Sequence, residues 1–422
     1  MIACGERIMY STHDRNQLRH LAGRYAEHAN SPRMTENRRL WTALKDLRSE
    51  RPMFRFDPGH LGEEFVAQHE LKCQDTHLRQ VEHWLLAAIR RIEEIGDDYT
   101  IDPCWRMGWQ VTSSGYGVDI GARHDVDASG GAVGYHFDHP IRTPADIDRL
   151  VAPPYQVDRA ASMAEAERLH AIFGDLLPVV LHGSRTLLSS LTQDLFKLLG
   201  NDNLLTWPID EPDALDRVMI FLRDERLRWF HFLEHEGLLG ANANESSSGP
   251  GSPGYVSGLP AETPAGGMRL DQTWAWMESQ ETTTMSPRMF TRQFLPHMAE
   301  VAKLFGLVYY GCCEPVHDRW QAIRTAIPNI RAVSVSPWCD QRKLAAMVGH
   351  DVVLSRKPPP PLISGDHPDW DGLSADLDET LAATRGCNLE IIYRDVYRIN
   401  SDRGRLRRWS DLVRARVDAA HV

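Results

Sequence analysis

Six consecutive positions hold the densest chemistry in this chain: Cys312-Cys313-Glu314-Pro315-Val316-His317, entered from Leu307-Val308-Tyr309-Tyr310 through Gly311. Two thiols, a carboxylate and an imidazole put a nucleophile, a general base and metal ligands into one turn. Pro315 suits the first turn of a helix, where its missing N–H is no loss. Glu314 and His317 stand three apart and share a face as that helix begins, a spacing used by carboxylate–imidazole metal pairs. Glu278, Gln280 and Glu281 follow Trp274 and Trp276 and precede the helix-start signal Ser286-Pro287. Glu278 has the chemistry of a metal ligand or general base, and the group around it that of a substrate clamp.

Further polar groups close other apolar runs. His182, beside Ser184 and Arg185, can meet an anion or sit satisfied in the core. Asn242 and Asn244 can hydrogen-bond a polar ligand, although Asn is also common in turns. Arg356-Lys357 and Arg394-Asp395 offer a carboxylate partner and an orienting acid, and a structural ion pair explains them equally well. Arg123-His124-Asp125-Val126-Asp127 and His136-Phe137-Asp138-His139 are dense in His and Asp, but Gly130-Gly131 and Pro140 place them in a loop or hairpin. There is no G-x-S-x-G elbow, no C-x-x-C pair and no P-loop fingerprint.

The elements that must position these groups are readable from period and punctuation. Residues 13–28 read as an amphipathic helix, broken at Ser31-Pro32. Thr35 can cap a second helix from Glu36 to about Leu47. Met53-Phe54-Arg55-Phe56 alternates as a strand. Asp75 or Thr76 can cap a helix that runs to Ile95 and stops at Gly96. From about Thr100, short apolar runs alternate with helical patterns, which implies parallel βαβ units. Runs that end in His182, Asn242/Asn244, Glu278, Cys312/Glu314, Ser336, Arg356/Lys357 and Asp395 favour a closed barrel with its site at the strands' C-terminal ends. The expected class is α/β, a (β/α)8 barrel over residues 100–422 behind an N-terminal helical segment, residues 1–99. The Ser-, Gly- and Pro-rich stretch from Glu245 to Gly267 reads as a lid or a disordered loop.

The 422 residues are 42% hydrophobic and 25% charged, with 58 acidic against 47 basic side chains and a net charge of −11. That balance argues against a phosphate-backbone binder, so no nucleic-acid partner is expected. Seven scattered cysteines make a poor disulfide framework. Met1–Arg7 carries charge where a signal peptide needs an apolar core, and no run approaches the roughly 18 apolar residues of a membrane span. A cytoplasmic protein without a membrane partner is expected, and a homodimer is compatible with the sequence.

Arg38-Arg39-Leu40-Trp41 through Glu50-Arg51-Pro52, Ser286-Pro287, Tyr309-Tyr310-Gly311-Cys312-Cys313-Glu314-Pro315 and Ser334-Val335-Ser336-Pro337-Trp338 together resemble the uroporphyrinogen decarboxylase-like superfamily. That superfamily also holds the cobalamin-dependent methyltransferases. The resemblance covers residues 35–415 and marks a branch defined by G-C-C-E-P. It implies the same (β/α)8 barrel and, for the methyltransferases, zinc held by H-x-C and a later Cys. Here Tyr310-Gly311-Cys312 stands for H-x-C, and Ser355 stands where the later Cys belongs. The decarboxylases' Asp and arginine signature has no counterpart.

With thiolates replaced and Glu and His kept, the favoured metal shifts from Zn(II) to Fe(II), with O2 as co-substrate. The expected ligands are Glu278, Cys312, Glu314 and His317. The expected catalytic groups are Glu278, Tyr310 and Asp395. His182, Asn244, Trp276, Gln280, Arg356 and Lys357 are expected to bind substrate, with Trp274, Trp276 and Tyr310 as flat walls for a ring. The first expectation is therefore an Fe(II) enzyme that cleaves or rearranges a polar ring compound. A zinc- or corrinoid-linked methyltransferase is the alternative. A decarboxylase-like lyase or a barrel that only binds ligand comes after it.

Overall fold

The computed structural model describes residues 10–113, 115–126 and 132–420. Two helices open the chain. α1 (Thr12–Ala29) is capped by Ser11, whose side chain accepts from the Asp14 N–H. α2 (Pro32–Lys45) begins before the expected Glu36, because Ser31 caps it and Pro32 fills its first turn. α3 (Thr76–Arg90) starts at the expected Asp75 cap, continues through one π-helical turn to Ile95, and ends at Gly96 with φ 78°.

The strands that matter for the site are β1 (Met53–Phe56), β2 (Trp105–Gly108), β3 (Val179–His182), β4 (Leu188–Ser189), β5 (Trp274–Met277), β6 (Leu307–Tyr310), β7 (Ile330–Val335), β8 (Val353–Arg356) and β9 (Asn388–Tyr393). Seven of them form one parallel sheet in the order β1-β9-β8-β7-β6-β5-β4. β2 and β3 pair in parallel with each other, and Ser184 bridges Leu239 in parallel. Helices at Pro287–Gln293, Leu295–Ala302, Trp320–Ala326, Gln341–Val348 and Trp370–Ala383 separate β5 to β9. The chain is thus α/β, as the strand–helix alternation implies. Segment 1–99 is not only helical cover, since its β1 pairs along β9 and joins the sheet.

The His/Asp-rich segment is the expected hairpin, with Ala122–Val126 antiparallel to Ala132–Phe137. Asp127, Gly130 and Gly131 lie outside the described residues, as do Met1–Arg7. Among the described residues no helix is long and apolar enough to cross a membrane.

Both faces of the sheet are covered, so its strands are apolar almost throughout. Phe54, Phe56, Val308, Tyr310, Val333, Leu354, Ile391 and Tyr393 belong to the large cluster shared with the surrounding helices. Met53, Trp274, Tyr309, Ala332, Val353 and Ile392 form a second cluster with Leu40, Trp41 and Leu44 of α2. The face of β1 and β5–β9 that carries Tyr309 is therefore the one that α2 packs against. α2 plugs its lower end, and the Trp41 indole donates to the Asp98 carbonyl at 2.8 Å.

The last residue of α2 carries charge into this interior. Lys45 Nζ donates to Glu390 Oε2 of β9 at 2.8 Å and to Ser252 Oγ at 2.6 Å, and neither Lys45 nor Glu390 is exposed to solvent. Removing one partner leaves the other charge buried and unpaired. Lys45→Met is expected to lower stability in urea unfolding by about 3–5 kcal/mol, and combining it with Glu390→Gln to recover much of that loss. A single-variant loss under about 1 kcal/mol would mean that water reaches the pair.

Candidate functional site

The C-terminal ends of β6 to β9 enclose a cavity of about 250 Å3. Cys312 and Cys313 follow β6, Trp338 follows β7, Lys357 follows β8, and Arg394 and Asp395 follow β9. A second cleft of about 570 Å3 shares Cys313 and Trp338 and adds Gln280 and Glu281. A groove of about 630 Å3 lies at the opposite end of the sheet, between Arg48–Pro52 and the C-terminal helix Gly404–Ala420. Chemistry on parallel α/β sheets gathers at strand C-termini, where loops can vary without disturbing the sheet. The smaller cavity is therefore the candidate site.

The Ser/Gly-rich stretch forms one wall. Its first half is a buried hairpin, Ser247–Gly249 with Ser252–Pro253, and Pro250 at its turn lines the cavity. A Cβ on Gly249 would lie 2.3 Å from the Tyr309 ring. The glycine thus lets the backbone lie against that ring, which is why the stretch is poor in large side chains.

Lys357 is 6% exposed, and its Nζ donates to Tyr309 Oη at 3.0 Å and Ser355 Oγ at 2.6 Å. Both partners are neutral, and burial keeps the Tyr309 phenol protonated far above its usual range. Burial, with repulsion from Arg394 and Lys45, brings the Lys357 ammonium down to about 7 although Glu390 draws it upward. Burial alone would raise Glu390, but Lys45 and Lys357 outweigh it and hold the carboxyl below its ordinary value. One carboxylate serves two lysines, and the direct hydrogen bond goes to Lys45. Arg394 pairs through Nε with Asp395 at 3.1 Å, and Asp395 also faces His60 at 3.3 Å.

The two thiols stand 3.7 Å apart. The Cys313 sulfur and then burial raise Cys312, while the hydrogen bond from Cys312 lowers Cys313. The turn that presents them has a built cause. Gly311 takes φ 98°, and Glu314, 1% exposed, accepts from the Ser279 N–H at 2.9 Å and the Cys312 N–H at 2.8 Å. Burial raises the Glu314 carboxyl. Glu278 lies behind this turn, 2% exposed, with Oε2 accepting from the Gln280 N–H at 3.1 Å and Oε1 without a partner. Burial, then Glu281 and Glu314, push Glu278 well above the carboxylate range.

Of the residues expected from the sequence, Cys312, Lys357 and Asp395 meet at the cavity, and Gln280 lines the neighbouring cleft. The others go elsewhere. Tyr310 points to the helix-covered face, with its hydroxyl 2.9 Å from Ser279 Oγ. Arg356 does the same and reaches Asp376 at 2.6 Å, because neighbours along a strand face opposite ways. Asn244 is consumed within its own loop by the carbonyls of Ala241 and Ala261 and by Ser246. Asn242 likewise ties Arg185 to Trp274. The Trp276 indole donates to the Gly311 carbonyl at 3.1 Å. His182 is buried against the Gly183 carbonyl, and burial lowers it to about 4. His317 accepts from the Asp340 N–H at 3.1 Å and faces Asp318.

The four expected metal ligands are consequently not one set, and among the described residues no three His, Cys, Asp or Glu side chains form a metal-holding group. The zinc site implied by the resemblance does not fit these residues: Ser355 is bound to Lys357, and Tyr310 faces away. Tyr309, Glu390, Lys45 and Trp338 are not among the site residues expected from the sequence. A charged residue inside the run Leu389-Glu390-Ile391-Ile392 was the available signal, because a strand buried on both faces tolerates charge only where a partner waits.

Lys357 is expected to make stability depend on pH. Its folded-state value near 7 lies below the unfolded value of about 10.4, so the unfolded chain binds more protons between them and stability rises with pH across that window. Urea unfolding at about pH 7 and pH 9 should show wild type gaining about 2 kcal/mol relative to Lys357→Met. Equal gains in both proteins would mean that the lysine titrates as a solvated one.

No protein-family model matches the chain and no curated protein matches its sequence, so its chemistry must come from the geometry of the site.

Proposed function

We propose that this protein is an enzyme acting on a small anionic molecule held at the C-terminal ends of β6–β9. The observation that carries it is the cavity itself, with a lysine brought down to about 7 and an arginine in its wall. Arg394 is the anion clamp, since guanidinium stays charged at all working pH values and meets a carboxylate or phosphate through two N–H groups. Asp395 orients it. Lys357 is the base or nucleophile, because half of it is unprotonated near neutral pH. Trp338, 68% exposed, gives a flat apolar surface at the mouth. The seven-stranded sheet, the β2–β3 pair and the Ser184–Leu239 bridge are arcs of one closed (β/α)8 barrel in this proposal. The resemblance to uroporphyrinogen decarboxylase-like proteins supports that closure.

Titration calorimetry with a panel of small carboxylates and phosphates tests the clamp. A saturable ligand should emerge, and Arg394→Ala should weaken it roughly tenfold to a hundredfold, the worth of one charge-assisted hydrogen bond. A folded wild-type protein that binds none of the panel would end the proposal.

The Fe(II)-dependent oxygenase is a second proposal, favoured by the buried, unpartnered Oε1 of Glu278 next to Glu281 and Glu314. A divalent cation there would neutralise that acid group and, as iron, supply oxygen chemistry to the neighbouring cleft. It requires Glu314 to release a backbone partner. Anaerobic Fe(II) reconstitution should give about one iron per chain in wild type and little in Glu278→Gln. Equal iron in both, or no oxygen uptake with any bound substrate, removes this proposal. The methyl-transfer alternative rests on Cys312 alone.

A further inference from the structure

Lys357 has a capability that simple proton transfer does not use. An unprotonated amine has two N–H groups and one lone pair. The two N–H groups are already directed to Tyr309 Oη and Ser355 Oγ. Glu390, which draws Lys357 upward, makes its direct contact with Lys45, and Asp395 pairs with Arg394 and His60. The lone pair is left for an electrophile in the cavity that Lys357 lines. The side chain also leaves a fixed backbone, because the Lys357 N–H donates to the Val335 carbonyl at 2.9 Å. The pocket is below the volume of drug-sized sites, so it suits an acid of a few carbon atoms.

We propose that Lys357 forms an imine with the carbonyl carbon of a short 2-oxo acid whose carboxylate is held by Arg394. This deepens the anion-binding proposal above and rests on it. Nζ adds to the carbonyl carbon as the C=O π pair moves to oxygen, which takes up a proton. The nitrogen then loses its remaining protons, the hydroxyl leaves as water, and C=N forms. Amine plus carbonyl gives imine plus water, with no oxidant or reductant. The Tyr309 phenol, protonated and in contact with Nζ, delivers the proton to the departing hydroxyl and regains one from nitrogen. Ser355 and Ser334 hold that phenol in place. Once protonated on nitrogen, the imine accepts the electron pair of a bond broken at C3 of the acid, the position where it would assist a lyase step.

The test is borohydride trapping on the full-length protein. Wild type is incubated with glyoxylate or pyruvate at about pH 8, reduced, and mapped by peptide mass spectrometry, while calorimetry follows binding without reductant. One addition is expected on the Lys357 peptide, at roughly ten times the level on any other lysine, since solvated lysines stay protonated there. Labelling should rise as pH passes through about 7, with the free amine. Tyr309→Phe should slow trapping without weakening the acid's binding, which a merely structural tyrosine would not do. Binding without any adduct, or adducts only on other lysines, overturns the imine and leaves the anion clamp standing. Absence of both binding and adduct overturns the two together. Because the site is mapped in wild type, the result does not depend on Lys357→Met folding.

Discussion

One buried carboxylate between two lysines is the constraint on which the rest of this structure depends. Glu390, on the face of β9 that α2 covers, has no solvent access, nor has Lys45 of α2, and Lys357 follows the neighbouring strand β8. Water cannot screen these charges, so each must be compensated by protein. Glu390 makes its direct contact with Lys45 through Oε2, and its Oε1 has no hydrogen-bond partner. Lys45 is thereby locked, and α2 with it, against the lower end of the sheet. Lys357 is left with hydroxyl partners, and burial with the neighbouring Arg394 and Lys45 charges favours its uncharged amine. A structural ion pair and a chemically available lysine are two results of the same charge arithmetic.

Strand alternation distributes everything else. Side chains along a strand face opposite ways, so each pair of adjacent residues divides between the site and the helical layer. Tyr309 and Lys357 face inward, while Tyr310 and Arg356 turn out to Ser279 and Asp376. A shift of one residue in β6 or β8 would exchange their roles completely. The G-C-C-E turn follows the same economy: Gly311 supplies the left-handed bend, and Glu314 binds the backbone that the bend leaves open.

The hairpin around Pro250 shows composition following packing. Ser248 and Ser252 are buried, and Ser252 receives a hydrogen bond from Lys45. Small side chains there let the backbone approach Tyr309 and Ile392. A stretch that looks like flexible linker in one dimension is part of the wall in three. Its polar atoms serve the charged interior instead of solvent.

The sequence by itself determined most of the elements near the site: the strands, most helix starts, the break at Gly96, and a parallel α/β arrangement. Those follow from local chemistry, namely caps, glycines and apolar runs. It also pointed to Cys312, Lys357 and Asp395, because polar residues at strand ends stand out against apolar ones. Tertiary structure decided which of two neighbours faces the cavity. Strands buried on both faces carry no polar alternation, so their register is silent in the sequence. It also decided that Glu314 and His317 part company and that Asn244 serves its own loop. Above all it joined Lys45 to Glu390 across 345 positions, a pairing no local pattern can encode because it exists only once the sheet has formed.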